Sequence, residues 1–353
     1  MNKSIDPILD IRNLTTEVDT EFGVKTIIKN VSLSLFPQET LCVAGESGSG
    51  KSVTSLSVMG LLPPAARVTN GEVILDGQDL LTLNERQMQK IRGGDIAMIF
   101  QEPMTSLNPL MTIGSQLAEA ITAHHSLFGS SAIQRAIDLM DAVRLSEGKM
   151  RLKQYPHELS GGMRQRIMIA MALVSNPKVL IADEPTTALD VTVQAQILAL
   201  MNELKSDFGT SIILITHDMG VVAEMADRVA VMKDGEVIET NRVEQLFIAP
   251  EKQYTKTLLA SVPMLGSKKG QPVNLPNHQK PPVLSVKDLT VRFDIKGGLL
   301  QRPISRVHAV EKVSFDLFEG ETLSLVGESG CGKSTIGKSI ISRWFPKSMP
   351  LCL

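Results

Sequence analysis

The sequence predicts an α/β fold with a parallel-sheet core, an antiparallel β region near its start and a helical insert. Short runs rich in Val, Ile and Leu are typical of strands buried on both faces, and they occur at residues 41–44, 96–100, 179–182 and 212–216. Longer segments with helical periodicity lie between these runs, at residues 113–123, 132–142, 163–174 and 191–205. Before about residue 80 the pattern changes, and the Asp-Gly pair in EVILDGQDL indicates an antiparallel hairpin.

The composition argues against several classes of protein. The 353 residues suffice for two domains, and 36 Lys and Arg against 38 Asp and Glu leave a net charge of −2. Because this balance is not that of a globally basic nucleic-acid binder, we expect no nucleic-acid partner. The N-terminus has no apolar segment typical of a secretion signal, and the longest apolar runs are far shorter than the ~20 residues that span a bilayer. We therefore expect a cytoplasmic chain that serves a membrane, if at all, from its surface.

An internal repeat organises the chain. VSLSLFPQETLCVAGESGSGKS, which begins at Val31, returns as VSFDLFEGETLSLVGESGCGKS at Val313. A repeat this far apart indicates a whole domain copied in tandem. We expect a complete domain at residues 1–265, a solvated linker rich in Pro, Gly, Asn and Lys at 266–282, and the truncated start of a second domain at 283–353.

A glycine-rich loop follows the first predicted buried strand and opens a helix. It fits the pattern G-x4-G-K-[ST] and consists of Gly45, Glu46, Ser47, Gly48, Ser49, Gly50, Lys51 and Ser52. Glycines let backbone N–H groups curl around phosphate oxygens, and the helix N-terminus adds positive potential. Lys51 would reach the β- and γ-phosphates, and the Ser52 hydroxyl would join the ligands of a Mg²⁺ ion. The predicted ligands are therefore ATP and Mg²⁺.

The second copy repeats this loop. The corresponding positions are Gly327, Gly330, Gly332, Lys333 and Ser334. A glycine-rich turn that binds no nucleotide is the alternative interpretation of either loop. Two matches in the same strand–loop–helix context argue against that alternative.

An apolar strand that ends in two acids, VLIADE at residues 179–184, lies downstream of the first loop. Asp183, at the carboxyl edge of this strand, can hold Mg²⁺ through water beside the phosphate loop. Glu184 is the better candidate for the general base that polarises the attacking water. A pair of acids at the start of a helix is the usual alternative for so short a pattern, but its distance from the phosphate loop favours the catalytic interpretation.

The segment LSGGMRQR contains a second potential anion site. Ser160 is a good N-cap, and Gly161 and Gly162 open the first turn of the next helix, which leaves N–H groups bare. Such a site would face the nucleotide of a partner. The motif resembles the signature of ATP-binding-cassette (ABC) ATPases, and the other motifs match the same family. The resemblance implies a P-loop NTPase fold with a RecA-like parallel-sheet core, an antiparallel β subdomain and a helical subdomain.

The resemblance also implies roles for four further residues. Gln101, in MIFQEP, is similar to the family's Q-loop glutamine, which contacts Mg²⁺ and water and lies beside the membrane subunit. Asp190, in TALD, is similar to the D-loop aspartate at the dimer interface, and His217, after IILIT, to the switch histidine that contacts the γ-phosphate. Phe22 is our choice for the aromatic ring that stacks on adenine, with a buried core phenylalanine as the alternative.

The segment APEKQYTKTLLASVP at residues 249–263 resembles a segment of the dipeptide, oligopeptide and nickel importers. Two copies in one chain narrow the resemblance to the tandem members of this branch, above all those that serve glutathione import. The resemblance implies an ATPase at the cytoplasmic face of the bacterial inner membrane that energises import of peptides or glutathione. Its partners would be permease subunits and, through them, a periplasmic solute-binding protein. A soluble ABC protein of translation or repair is less favoured, because zinc-binding cysteines and long charged linkers do not occur.

The second copy lacks a Q-loop, a signature, an acidic strand and a switch histidine, and shows no helical pattern after Ile341. An alternative function is therefore a truncated product that binds nucleotide without driving transport, because its second catalytic half is missing. We expect the second loop to bind nucleotide poorly. We also expect the competent state to be an ATP-dependent homodimer of first cassettes, since Lys51 has no intramolecular signature to face.

Overall fold

The computed structural model describes residues 6–101, 106–187, 189–262, 280–297, 302–328 and 330–344. The predicted linker therefore lies outside the described residues except at 280–282, and the last nine residues lie outside them as well. The described residues divide into two compact units: the first contains those in the ranges 6–189 and 193–262, and the second contains residues 190–192 and those in the range 280–344. Among the described residues, no helix combines the length and the apolar character needed to cross a bilayer.

The strands, in chain order, are β1 (Leu9–Thr20), β2 (Gly23–Leu35), β3 (Thr40–Ala44), β4 (Ala66–Leu75), β5 (Gln78–Asp79), β6 (Ile96–Ile99), β7 (Val179–Asp183), β8 (Ser211–Thr216), β9 (Arg228–Lys233), β10 (Glu236–Arg242), β11 (Leu284–Gly297) and β12 (Arg302–Leu317). The helices are α1 (Lys51–Met59), α2 (Glu85–Ile91), α3 (Ile113–His124), α4 (Ser130–Ala142), α5 (Gly148–Arg151), α6 (Gly161–Ala172), α7 (Val191–Phe208), α8 (Met219–Met225), α9 (Val243–Ile248), α10 (Gln253–Ala260) and α11 (Lys333–Trp344).

The first unit opens with an antiparallel sheet in the order β2-β1-β4-β5. The β4–β5 turn is made by Asp76 and Gly77, whose φ angles of 48° and 83° are those that a tight primed hairpin turn requires. Alternate residues of β1, including Leu9 and Ile11, are buried against a shared core with Val73 and Leu75 of β4. The predicted antiparallel region is confirmed.

A second sheet has the order β10-β9-β3-β8-β7-β6, in which β9, β3, β8, β7 and β6 run parallel and β10 is antiparallel to β9. Every residue of β3, β7 and β8 is buried, which explains why their sequences are nearly continuous apolar runs. The carboxyl ends of parallel strands meet at one edge of a sheet, where ligands bind in open α/β folds. At this edge the phosphate loop follows β3, Asp183 is the last residue of β7, and His217 follows β8.

The helical insert is also confirmed. Helices α3, α4 and α6 pack on one another through buried apolar side chains such as Leu117, Leu139 and Ile167. Helix α6 starts two residues earlier than its periodicity predicts, because Ser160 caps it and the glycines form its first turn. The first unit therefore has the α/β architecture that the sequence predicts.

The second unit consists of the antiparallel pair β11–β12, an irregular stretch and α11. Residues 322–326 repeat the sequence position of β3, yet residues 321–328 form no strand, and Val326 is 92% exposed. β3 is flanked by β8 and β9, and the described part of the second unit contains no parallel strands to supply those hydrogen bonds. Helix α11 continues to Trp344, so the expectation that helical structure stops at Ile341 was wrong.

Candidate active site

The phosphate loop of the first unit is shaped by its glycines and opens directly into α1. Gly45 has a φ of 156°, and a Cβ there would lie 2.3 Å from the carbonyl oxygen of Met232, so the loop could not pack against β9 with a larger residue. Gly50, the N-cap, has a left-handed φ of 103° and provides no side-chain cap. The first N–H groups of α1 are therefore directed at the loop without a capping side chain, which is the arrangement that binds phosphate.

Lys51 contacts the backbone of its own loop. Its Nζ donates hydrogen bonds to the carbonyl oxygens of Gly45 at 2.7 Å and Glu46 at 2.8 Å, and lies 3.4 Å from the Ser49 hydroxyl. Burial lowers the pKa of Lys51, although the charges of Glu184 and Asp183 oppose that shift. An anion would lower the cost of burying this ammonium, so the site is electrostatically suited to phosphate.

Ser52 and Asp183 join the loop to the end of β7. The Ser52 hydroxyl donates a hydrogen bond of 3.1 Å to Asp183 Oδ1, and Asp183 is only 4% exposed. Burial raises the pKa of Asp183, while the hydrogen bond from Ser52 opposes the shift. A hydroxyl and a carboxylate in hydrogen-bond contact are oxygen ligands of the kind that Mg²⁺ prefers, and a cation would offset the cost of burying the carboxylate. The residues present therefore fit Mg²⁺.

Glu184 accepts hydrogen bonds from three side chains. Its Oε1 lies 2.8 Å from His217 Nδ1, and its Oε2 accepts from Gln101 Nε2 at 3.0 Å and from the Thr187 hydroxyl at 2.9 Å. A carboxylate only accepts, so Nδ1 of His217 carries the proton in this contact. Since Gln101 uses its amide nitrogen here, its amide oxygen is the atom that it can offer to a cation.

The backbone at Glu184 is strained, with a φ of 46° in the left-handed region. Such a conformation in a residue other than glycine costs on the order of 1–3 kcal/mol and is typical of functional sites. Burial alone would raise the pKa of Glu184, but the hydrogen bonds from His217, Thr187 and Gln101 outweigh it and hold that pKa below its ordinary value. Glu184 is therefore ionised near neutral pH and can accept a proton.

An open cavity of about 720 Å³ lies beside the phosphate loop. Ser47, Gly48, Gly50, Lys51, Ser52, Gln101 and Glu184 line it, so the structure brings together most of the residues that the sequence selects. Its lining also includes Lys25, Thr26, Ile27 and Lys29 of β2, and Asp234 after β9. Sequence reasoning missed these residues, and also Thr187 beside Glu184. The three consecutive β-branched residues in KTIIK were the available signal for β2.

Phe22 lies in the turn between β1 and β2 and is 98% exposed, which excludes the buried-core alternative. It precedes the stretch of β2 that lines the cavity and is not itself among the lining residues. Its role in stacking adenine stays a prediction.

Ser160, Gly161 and Gly162 begin α6 as predicted. The Ser160 hydroxyl accepts from the Met163 N–H at 3.4 Å, and a Cβ on Gly162 would lie 2.6 Å from Val193 Cγ1, so α6 and α7 approach closely there. None of these three residues lines the cavity at the phosphate loop of their own unit. Asp190 directly precedes α7 and is half-buried.

The second loop has the same backbone shape as the first. The φ angles of Gly327, Gly330 and Gly332 are 156°, 82° and 96°, against 156°, 82° and 103° in the first copy. Lys333 Nζ donates to the carbonyl oxygens of Gly327 and Glu328, each at 2.6 Å. Ser334 is exposed and has no carboxylate partner among the described residues, so this loop lacks the link that Ser52 makes to Asp183.

Comparison with known proteins gives the same family throughout. Residues 28–187 and 310–348 match the sequence profile of the ABC transporter family. The chain is 49% identical over 360 residues to the glutathione import ATP-binding protein GsiA of Escherichia coli (strain K12), and 50% identical over 335 residues to the peptidoglycan transport ATP-binding protein YejF of Agrobacterium fabrum (strain C58). Each alignment covers 95% of this chain but only 58% of that GsiA and 60% of YejF, so the chain spans little more than half their length.

Solved structures agree with this assignment. The ATP-binding cassette MJ0796, in a dimeric post-hydrolysis state bound to ADP and phosphate, is 30% identical with a TM-score of 0.60. The match covers 67% of this chain and 98% of that cassette, and the predicted ABC ATPase fold is therefore confirmed.

Proposed function

The chain belongs to the ABC transporter family, and on that premise we propose that it is the ATP-binding and ATP-hydrolysing subunit of an inner-membrane importer of peptides or glutathione. The observation that carries this proposal is Glu184, an ionised carboxylate held by three hydrogen-bond donors in a cavity that the phosphate loop also lines. A nucleotide-binding domain without hydrolysis would not need a strained, positioned base.

The phosphate loop binds the triphosphate. Backbone N–H groups at the start of α1 and the Lys51 ammonium face the phosphate oxygens, and Lys51 exchanges its carbonyl partners for them. Ser52, Asp183 and the amide oxygen of Gln101 would hold Mg²⁺. The ion, when bound, supplies positive charge that neutralises the negative charge building up on the phosphates during transfer.

Glu184 then accepts the proton of the attacking water. His217 and Gln101 fix its two oxygens, so the acceptor is oriented before the reaction begins. Removal of a positioned general base typically lowers a rate about 10²–10⁴-fold. His217 is exposed at the same edge and would also reach the terminal phosphate of a nucleotide bound there.

The proposed substrate class follows from the names of the relatives. Glutathione and peptidoglycan both contain peptide bonds, and the resemblance of residues 249–263 points to the peptide-importer branch. A second, largely apolar groove of about 330 Å³, lined among others by Met98, Phe100, Leu107 and Met168, lies next to Gln101 and would suit an apolar segment of a permease subunit. The permease would connect the chain to a periplasmic solute-binding protein and keep it at the cytoplasmic face of the inner membrane.

Phosphate release by the full chain tests this proposal. We expect Mg²⁺-dependent hydrolysis of ATP that is lost in Glu184→Gln, and recovery of the chain with membranes when permease subunits of a peptide or glutathione importer are co-expressed. Wild-type chain that binds ATP but never hydrolyses it, alone or with permease, would favour the non-transporting alternative. Hydrolysis without any membrane association would contradict the importer assignment.

A further inference from the structure

The proposed reaction leaves residues 249–262 without a role. This segment follows α9, contains α10 and belongs to the same unit as the phosphate loop. Tyr254, in the first turn of α10, is one of only two tyrosines in the chain.

Glu239 of β10 anchors the start of α10. It is 6% exposed, and its carboxylate accepts hydrogen bonds from the Glu251 N–H at 2.9 Å, the Lys252 N–H at 3.1 Å and the Thr255 hydroxyl at 2.6 Å. A buried carboxylate with three donors fixes the position of the helix end. The residue beside Thr255 is therefore held in a defined place.

That residue, Tyr254, contacts the phosphate loop. The Glu46 N–H donates to the Tyr254 hydroxyl at 3.4 Å, while Lys233 Nζ lies 4.8 Å from the centre of the tyrosine ring. The carbonyl oxygen of Gly45, which belongs to the same peptide group as the Glu46 N–H, accepts from Lys51 Nζ at 2.7 Å. The peptide group between Gly45 and Glu46 is thus held at both ends, by Lys51 from within the loop and by Tyr254 from outside it.

We propose that Tyr254 is a positioning residue for the phosphate loop. Through Tyr254, the segment after β10 is linked to the occupancy of the nucleotide site. This role rests on the proposed binding of ATP at that site. Rotation of the Gly45–Glu46 peptide group would break the contact of its carbonyl oxygen with Lys51 and misplace the ammonium. When nucleotide draws Lys51 away from the carbonyl of Gly45, the hydroxyl of Tyr254 still holds the N–H end of this peptide group. Tyr254 therefore responds to nucleotide without touching it.

Two measurements test this role. Tyr254→Phe removes only the hydroxyl and keeps the ring over which Lys233 lies. We expect KM for ATP and the Kd of a fluorescent ADP analogue to rise about 3- to 10-fold, the range for one lost hydrogen bond, with kcat and the unfolding midpoint nearly unchanged. Tyr155→Phe is the matched control, because Tyr155 lies in the helical insert, where its ring stacks on His157, and should leave both constants at their original values.

The second measurement is ¹⁹F NMR of chain labelled with 3-fluorotyrosine. Two resonances are expected, and the Tyr155→Phe variant assigns them. MgADP should shift the Tyr254 resonance and leave the Tyr155 resonance in place. Binding of nucleotide with an unmoved Tyr254 resonance, or an unchanged Kd in Tyr254→Phe, would overturn the positioning role alone. Failure of the unsubstituted chain to bind the fluorescent nucleotide would overturn the proposed function and this role together.

Discussion

The Nδ1 atom of His217 lies 2.8 Å from Oε1 of Glu184, although the two residues follow different strands and are 33 positions apart. The contact exists because β7 and β8 are parallel neighbours whose carboxyl ends meet at one edge. Gln101, which follows β6 on the other side of β7, completes the set. Sheet topology thus positions the proposed base between two side chains that are distant in sequence.

Replacing Glu184 by Gln should retain ATP binding and lower turnover about 10²–10⁴-fold, because the amide cannot accept the proton. Phosphate release and the Kd of a fluorescent ATP analogue measure the two effects separately. Glu224→Gln, which changes an exposed carboxylate on α8, is the matched control. Turnover in Glu184→Gln equal to that of the control would remove Glu184 from the base role.

Replacing Lys51 by Ala should weaken nucleotide binding itself, since it deletes the buried cation of the phosphate loop. The Kd for ATP should rise, and the thermal stabilisation that ATP gives to the original chain should disappear. Lys90→Ala, at an exposed position on α2, serves as control for the loss of one positive charge. Equal ATP affinity in the two variants would argue against the phosphate-loop assignment.

Patterns that are local in sequence predicted the parallel strands, the phosphate loop and the acid pair. Two residues, Asp76 and Gly77, were likewise enough to predict the antiparallel hairpin. The contact of Tyr254 with Glu46 could not be predicted, because it joins positions 208 residues apart and depends on how α10 is anchored. The same limit explains residues 322–326, which have the composition of a buried strand but lack neighbouring strands within the described part of their unit. The sequence of a segment indicates that it can form a buried strand. Whether it does so depends on neighbouring strands, which the rest of the fold supplies.

The stability of the first unit should depend on pH through Glu239. Burial opposes its ionisation, but hydrogen bonds from Thr255 and from the N–H groups of Glu251 and Lys252 hold its pKa below the ordinary value. A carboxyl whose pKa is lowered on folding stabilises the fold above its unfolded pKa, and this contribution disappears as pH falls through its folded pKa. The relevant window therefore lies below roughly pH 4.3, the ordinary pKa of glutamate.

Replacing Glu239 by Gln should lower the free energy of unfolding at pH 7 by about 1.5–3 kcal/mol, the range for hydrogen bonds to a charged group. Urea unfolding, followed by circular dichroism at pH 7 and at pH 3.5, measures this free energy. The difference in free energy of unfolding between the variant and the original chain should be smaller at pH 3.5. A difference that stays constant between the two pH values would show that ionised Glu239 does not anchor α10.

Cys331 should report on the second loop. It is exposed, and Lys333 Nζ lies 3.5 Å from its sulfur, whereas Cys42 is buried in the first unit, which raises the pKa of that thiol and leaves it inert. In a Cys352→Ser background we expect rapid alkylation of Cys331 that ATP slows little, because no carboxylate of the described part of the second unit contacts Ser334 to hold Mg²⁺ with it. Strong protection of Cys331 by MgATP, read by mass spectrometry, would show that the second loop forms a working site.

The position of the signature carries a consequence for assembly. Ser160, Gly161 and Gly162 do not line the cavity at the phosphate loop of their own unit, so a signature that caps ATP at Lys51 must come from elsewhere. The signature of a second copy of the first unit can supply it. For this 353-residue chain studied alone we therefore expect two copies of the first unit to face each other, in an isologous dimer with two equivalent nucleotide sites.

Such a dimer should be weak without nucleotide, because both phosphate-loop faces are charged and hydrated, and ATP bound between them would supply much of the contact. Turnover per chain should then rise with protein concentration, and Glu184→Gln with MgATP should accumulate the dimer because the nucleotide is not consumed. Size-exclusion chromatography with light scattering distinguishes the two masses, and the double variant Glu184→Gln, Lys51→Ala should remain monomeric. Two results together would contradict the dimer: Glu184→Gln that stays monomeric at saturating MgATP, and a rate of ATP hydrolysis per original chain that does not depend on protein concentration. Each nucleotide site would then be complete within one chain.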